Sequence, residues 1–158
     1  MSAAPAISVV VPLYNEEDNV VEMQRQIDAA LAGRDYELVL VDDGSKDQTL
    51  SRIVPAPHVR VLVLEKNSGQ SAAMHAGIHN AQGAVIVTLD GDLQNDPADI
   101  PAMIAKLDEG AGFDLVCGYR AKRREMAPAT VNRYAAALAA VITWAIKRRI
   151  APKGFVHP

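Results

Sequence analysis

Five short runs of apolar, mostly β-branched residues recur along the chain with polar stretches between them, and this alternation constrains the fold more than any other feature. The runs are residues 7–13, 36–42, 59–65, 84–90 and 113–118. Near-continuous apolar runs are what a parallel sheet covered on both faces demands, because no residue of such a strand faces water. Helices are expected between them. The first covers 16–32, with Val20, Met23, Ile27 and Leu31 at helical spacing, Asn15 as its cap and Gly33 as its stop. Others are expected over 47–53, over 71–81 ahead of Gly83, and over 97–107, which has Pro97 in its first turn. The β-α repetition predicts an α/β fold, a Rossmann-like and mostly parallel sheet flanked by helices. The 158 residues suit one such domain, which at this size buries roughly 70 % of the unfolded chain's surface and needs no disulfide framework.

Cys117 is the one cysteine; it has no intrachain partner and lies in an apolar run, so it is expected to be buried and inert in a reducing compartment. Residues 1–30 carry no basic segment followed by an unbroken apolar core, because Asn15, Glu16, Glu17 and Asp18 interrupt it; no signal peptide is expected. The net charge of −3 conceals an asymmetry. Met1 to Gly118 holds 7 Lys+Arg against 18 Asp+Glu, a balance of −11, whereas Tyr119 to Pro158 holds 9 basic residues against Glu125 alone, a balance of +8. An acidic body is a poor surface for nucleic acid, while a basic tail suits phosphate groups or an anionic membrane face.

In open α/β sheets ligands bind beyond the carboxyl ends of the strands, so the residues just after each run carry the chemistry. After the first comes Pro12-Leu13-Tyr14-Asn15-Glu16, after the second Asp42-Asp43-Gly44-Ser45, after the third Asn67-Ser68-Gly69-Gln70, and after the fourth Asp90-Gly91-Asp92-Leu93-Gln94. Two carboxylates flanking Gly91 can face one point, which suits a hard divalent cation shared with substrate phosphates; Gln94 is a further oxygen donor. The bland reading is a polar loop. For Asp42-Asp43-Gly44-Ser45 the bland reading is a turn with Gly44 at positive φ and Ser45 or Asp47 capping the next helix. That leaves two adjacent carboxylates at a buried strand end, where charge is costly without donors such as ribose hydroxyls or a base amide. No Gly-x-Gly-x-x-Gly follows the first strand and no P-loop is present, which argues against NAD and P-loop chemistry. His75 and His79 share a helical face but lack a third ligand, so core or surface histidines are expected.

Together these loops resemble the nucleotide-sugar domain of family 2 glycosyltransferases, the GT-A fold, in the branch of dolichol- and polyprenyl-phosphate hexose synthases. The resemblance covers roughly residues 7–124 and rests on the order of four motifs: residues 10–17, 41–49, 67–70 and 89–97. It implies that Pro12, Tyr14, Glu16, Val41 and Asp43 line a nucleoside pocket. Asp90, Asp92 and Gln94 would hold Mg²⁺ or Mn²⁺ on the diphosphate beside Gly91, and Arg120 would lie near the phosphates. The implied reaction is an inverting transfer of a hexose from a GDP- or UDP-linked donor to a polyprenyl phosphate, with Asp92 and Arg120 as catalytic residues. The acceptor is already a nucleophile and needs cationic positioning, which Arg120, Lys122, Arg123, Arg124 and Arg133 could supply. Residues 1–128 are expected to form the donor domain and 129–158 a basic and apolar C-terminal segment. Within it, 134–146 is uncharged, too short to span a bilayer, and reads as a helix on a membrane surface or on the sheet. The expected location is cytoplasmic, peripheral on the membrane face. Relatives continue past this helix, so the alternatives are a nucleotide-sugar-binding fragment without turnover, or a transferase with a soluble or glycan acceptor.

Overall fold

The computed structural model describes residues 4–108 and 114–118, together with the backbone of 144–147. Its elements in chain order are β1 (Ile7–Leu13), α1 (Val20–Ala30), β2 (Tyr36–Asp42), α2 (Thr49–Arg52), β3 (Val59–Val63), α3 (Gln70–Asn80) and β4 (Val85–Thr88). A 3₁₀ turn (Pro97–Asp99), α4 (Ile100–Asp108), β5 (Leu115–Cys117) and β6 (Trp144–Lys147) follow. The sheet has six strands in the order β3-β2-β1-β4-β6-β5. The first four are mutually parallel; β6 runs antiparallel to both β4 and β5. The expected α/β architecture with a mostly parallel sheet is therefore the one observed.

The apolar runs are continuous in sequence but alternate in space. Val9, Val11, Leu13, Leu38, Leu40 and Val87 face one layer, where Met23, Ile27 and Leu31 from the first helical segment and Ile100 and Ile104 from α4 cover them. Val10, Val39, Val41 and Ile86 face the other, beneath Ala73 and Ile78 of α3. Gly77 lets α3 sit directly on the sheet: a Cβ there would lie 2.3 Å from Val10 Cγ1 and 2.9 Å from Val41 Cγ2.

Several expectations change. The first helix begins at Val20 rather than 16, and Asn15 does not cap it; Asn19 is the cap residue, and Asn15 adopts φ +55° in the turn after β1. Its side chain is engaged with the neighbouring loop instead, as described below. β3 is only half-buried, because it is the edge strand, and Val61 and Val63 are exposed. Cys117 is exposed, not buried: β5 is the outermost strand on the other side, and Cys117 shares its open face with Leu115. Trp144, Ala145 and Ile146, expected at the end of a helix, are in β6, where backbone pairing with Ile86 and Val116 overrides the helical composition of the stretch. The remainder of 134–146 lies outside the described residues. So do Arg120, Lys122, Arg123, Arg124 and Arg133, and with them most of the 129–158 segment.

At the amino end of the strands a polar network ties the layers. Glu37, 5 % exposed, accepts from Ser8 Oγ (2.6 Å), the Gln82 backbone N–H (2.6 Å) and Arg60 (2.7 Å), while Ser8 Oγ accepts from the Gly83 N–H (2.7 Å). Burial pushes the Glu37 carboxyl up, but the bonds from Ser8, Gln82 and Arg60 outweigh it and hold the group below its ordinary range. At the other end of α1, Gly33 has φ +77° with nothing near its missing Cβ. Gly33→Ala is therefore expected to cost about 1–2 kcal/mol through backbone strain alone, with Gly33→Asn recovering part of it. Urea denaturation of the three proteins checks this, and an alanine variant as stable as wild type would refute it.

Candidate donor-binding site

The chain leaves β1 toward β2 and β3 on one side and returns to β4 on the other, so the sheet reverses its winding between β1 and β4. Crevices of this fold class open at that point. β1 pairs with β2 as far as Leu13 but with β4 only as far as Val10. Beyond Val10 the two strands part, and Pro12, which has no N–H to pair, falls in this stretch.

Four loops meet at this edge, and each is tied to a neighbour. The turn after β1 is stapled to the loop after β2: the Asn15 N–H donates to Ser45 Oγ (3.0 Å), and the Lys46 N–H donates to Asn15 Oδ1 (2.9 Å). The Glu16 N–H donates to Thr49 Oγ1 (2.8 Å) and the Glu17 N–H to Asp47 Oδ2 (3.1 Å). Asp47 also accepts from the N–H and hydroxyl of Thr49 (2.9 and 2.5 Å). Burial would raise its pKa; the bonds from Thr49 and the Glu17 backbone prevail and lower it. Asp47 thus anchors the start of α2, but neither it nor Ser45 is the cap residue, which is Gln48; Gly44 has the expected positive φ of +71°.

The second staple joins the loops after β2 and β3. Asp43, 3 % exposed, accepts the backbone N–H groups of Ser68 (2.7 Å) and Gly69 (2.8 Å), one on each carboxylate oxygen. The cost of that buried charge is met by the protein's own backbone. Its neighbour Asp42 accepts from the Ser45 N–H (3.1 Å) through Oδ2, while Oδ1 is buried without a hydrogen-bond partner. Gly44 allows the close approach: a Cβ would stand 2.8 Å from the backbone of Lys66 and Asn67.

The third staple reaches the Asp90-Gly91-Asp92 turn beyond β4. Gln70 Nε2 donates to Asp90 Oδ1 (2.6 Å), and Asn95 Nδ2 lies 3.4 Å from Asp90 Oδ2. Gly91 is buried against β1; a Cβ would meet Leu13 Cδ2 at 2.7 Å and the Pro12 carbonyl at 3.1 Å. Leu93 adopts φ +59°, and within the turn the Gln94 N–H donates to Asp92 Oδ1 (3.0 Å). Two non-glycine residues in the left-handed region, Asn15 and Leu93, thus follow β1 and β4, the strands between which the winding reverses; strained backbone tends to gather at functional sites.

The expected site residues therefore separate by depth. Asp90 and Asp92 are half-buried, Glu16 is half-buried, and Tyr14 and Gln94 are exposed at the rim. Val41 is fully buried beneath α3 and supports the loop from within. Pro12 is buried at the end of β1. Asp90, Asp92 and Gln94 carry oxygen donors, the type that suits Mg²⁺ or Mn²⁺ rather than a softer ion, although the described residues hold no cluster of three or more His, Cys, Asp or Glu placed to bind a metal. Residues 42–47 and 90–96 carry Asp42, Asp43, Asp47, Asp90, Asp92 and Asp96 against Lys46 alone, a field that repels a diphosphate unless a cation intervenes. Gln70 and Asp47 stand in loops singled out by sequence, but their partners were not foreseen: Gln70 bonds Asp90, and Asp47 ties Thr49 to the turn after β1. His75 and His79 are exposed on α3 with stacked rings and, among the described residues, no third ligand. Among the described residues no helix is long and apolar enough to cross a membrane.

The family model described as glycosyl transferase family 2 matches residues 8–153. An undecaprenyl-phosphate 4-deoxy-4-formamido-L-arabinose transferase of Klebsiella pneumoniae is 44 % identical over 126 residues, covering 75 % of this chain and 38 % of that protein. A dodecaprenyl-phosphate galacturonate synthase of Rhizobium johnstonii is also 44 % identical over 126 residues, with 75 % and 37 % covered. Among solved structures, glucosyl-3-phosphoglycerate synthase of Mycobacterium tuberculosis, in complex with Mn²⁺, uridine diphosphate and glucosyl-3-phosphoglycerate, has a TM-score of 0.67. It is 26 % identical, covering 90 % of this chain and 57 % of that one. The chain spans about two fifths of the length of the curated relatives it matches.

Proposed function

Because the chain belongs to glycosyl transferase family 2, we propose that the crevice between β1 and β4 binds a nucleoside-diphosphate sugar and that the hexose passes to a polyprenyl phosphate. The observation that carries this reading is the Asp90-Gly91-Asp92 turn, seated on β1 through Gly91 at the point where the sheet reverses. Asp90, Asp92 and Gln94 would hold Mg²⁺ or Mn²⁺, which supplies charge neutralisation for the departing nucleoside diphosphate. Tyr14 and Glu16 at the rim, with Pro12 and Asp43 behind them, would shape the nucleoside pocket, and Val41 would support it. An acceptor phosphate oxygen attacks the anomeric carbon, the bond to the diphosphate oxygen breaks on the opposite face, and the configuration inverts. No proton need be removed from an ionised phosphate, so no general base is required; Asp92 acts through the donor, and Arg120 is assigned to the phosphates. The names of the two curated relatives support the lipid-phosphate acceptor. Such an acceptor favours a peripheral position on the cytoplasmic membrane face, with the basic residues beyond Tyr119 toward the anionic surface.

A second reading is donor binding without turnover by this stretch of chain, which spans about two fifths of the curated relatives' length. A thermal-shift panel of UDP, GDP, CDP and ADP, each with Mn²⁺ or EDTA, tests the shared premise: one nucleotide is expected to raise the melting temperature in a metal-dependent way. No shift at millimolar ligand would refute both readings. Incubation of the matching radiolabelled nucleotide sugar with undecaprenyl phosphate then separates them, since label in the lipid phase appears only under the first.

A further inference from the structure

Gln70 is the first residue of α3, and its side chain is exposed apart from one short contact, the 2.6 Å bond to Asp90 Oδ1. The backbone from which it projects is held at three places. Asp43 takes the N–H groups of Ser68 and Gly69; Gly44 admits the backbone of Lys66 and Asn67; and Gly77 seats the helix on Val10 and Val41. The amide of Gln70 therefore reaches Asp90 from an anchored position, while Asn95 approaches the other oxygen of the same carboxylate.

We propose that Gln70 is a positioning residue for Asp90: it fixes the plane of that carboxylate so that its remaining lone pairs face the position of a divalent cation. The inference rests on the reading that Asp90 and Asp92 hold the cation under a nucleoside diphosphate. An amide suits this role. It donates one hydrogen bond and leaves the charge of the carboxylate intact, whereas a lysine or arginine there would neutralise the ligand and compete with the ion. Partners of this kind, one bond removed from the ion, set ligand orientation and affect affinity about 10–100-fold when lost. The same contact links Asp43 to Asp90 through the Ser68–Gln70 segment, so the nucleoside end and the diphosphate end of the crevice share one scaffold.

The test is Gln70→Leu, with Mn²⁺ binding followed by electron paramagnetic resonance in saturating UDP and, in a parallel arm, GDP. The variant is expected to bind Mn²⁺ at least tenfold more weakly than wild type, with a metal-free melting temperature in EDTA within about one degree, because the replaced side chain is exposed. Affinity within twofold of wild type overturns the inference. So does a fall of several degrees in EDTA, which would assign Gln70 to the fold instead. Absence of nucleotide-dependent Mn²⁺ uptake by the wild type itself would sink the donor-site reading, a result distinct from either of these.

Discussion

Asp92→Asn is expected to lower sugar transfer roughly a thousandfold and to abolish the Mn²⁺-dependent melting shift produced by the matching nucleoside diphosphate. The magnitude follows from the task assigned to the carboxylate, since removing one preorganised charge-stabilising group at a leaving group costs about 10²–10³ in turnover, and here the cation's affinity falls as well. Asparagine keeps the shape of the side chain. Its amide oxygen still accepts the Gln94 N–H that closes the turn, so Leu93 retains its left-handed conformation and the loop its course. The variant's melting temperature in EDTA is accordingly expected to match wild type, which makes the loss attributable to charge. The melting shift reads the result even where turnover is absent. Transfer within tenfold of wild type, or an undiminished shift, would remove Asp92 from the site.

The largest stability effect is expected at the opposite end of the sheet. Glu37→Ala leaves the buried Ser8 hydroxyl and the Gln82 N–H without their acceptor and takes the counter-ion from Arg60. Arg60 is about one-third exposed and recovers some hydration, so the cost is placed at about 3 kcal/mol, the low end of the range for breaking a buried pair. The pH dependence has a fixed sign. The folded carboxyl is held below its unfolded value of 4.5, so its contribution is fully present above that value and fades as the pH falls through the lower, folded one. Asp47 is depressed in the same direction and is common to both proteins. The difference between wild type and Glu37→Ala in urea denaturation should thus be constant near neutral pH and shrink below about 4.5. A difference under 1 kcal/mol at pH 7, or one that grows on acidification, would contradict this account.

Much of the fold was legible because the buried strands leave a composition that nothing else explains. β1 and β2 occupy the expected residues to both ends, and the loops after four strands do gather at one edge. What escaped the sequence is mostly what depends on pairing between distant segments. Trp144–Lys147 reads as the end of an apolar helix by composition, yet it is a strand because β4 and β5 offer it two edges. Cys117 reads as core because its neighbours are apolar, but burial belongs to the strand's place in the sheet, and β5 is outermost. The site was legible as residue types and less so as roles. Asp43 was expected to need an external donor, and the backbone of Ser68 and Gly69 already supplies two. Gln70 was legible only as part of the loop after β3; its role escaped because Asp90 comes beside it only once the turn after β4, the next element, folds against the start of α3.

The antiparallel strand β6 has a consequence for how the chain is made. Synthesis delivers β1 through β4, with all four site loops, well before Trp144–Lys147 leaves the ribosome, so the nucleotide-facing edge can assemble while one flank of the sheet is still unzipped. During that interval the Val85–Thr88 strand presents unpaired N–H and C=O groups along an apolar ribbon, the kind of surface on which nascent chains associate with one another. Arrival of β6 closes that flank by pairing Ile146 with Ile86 and Lys147 with Val85. β6 thus acts as a seam, and the interval before it is sewn is when a chaperone would have the most to protect.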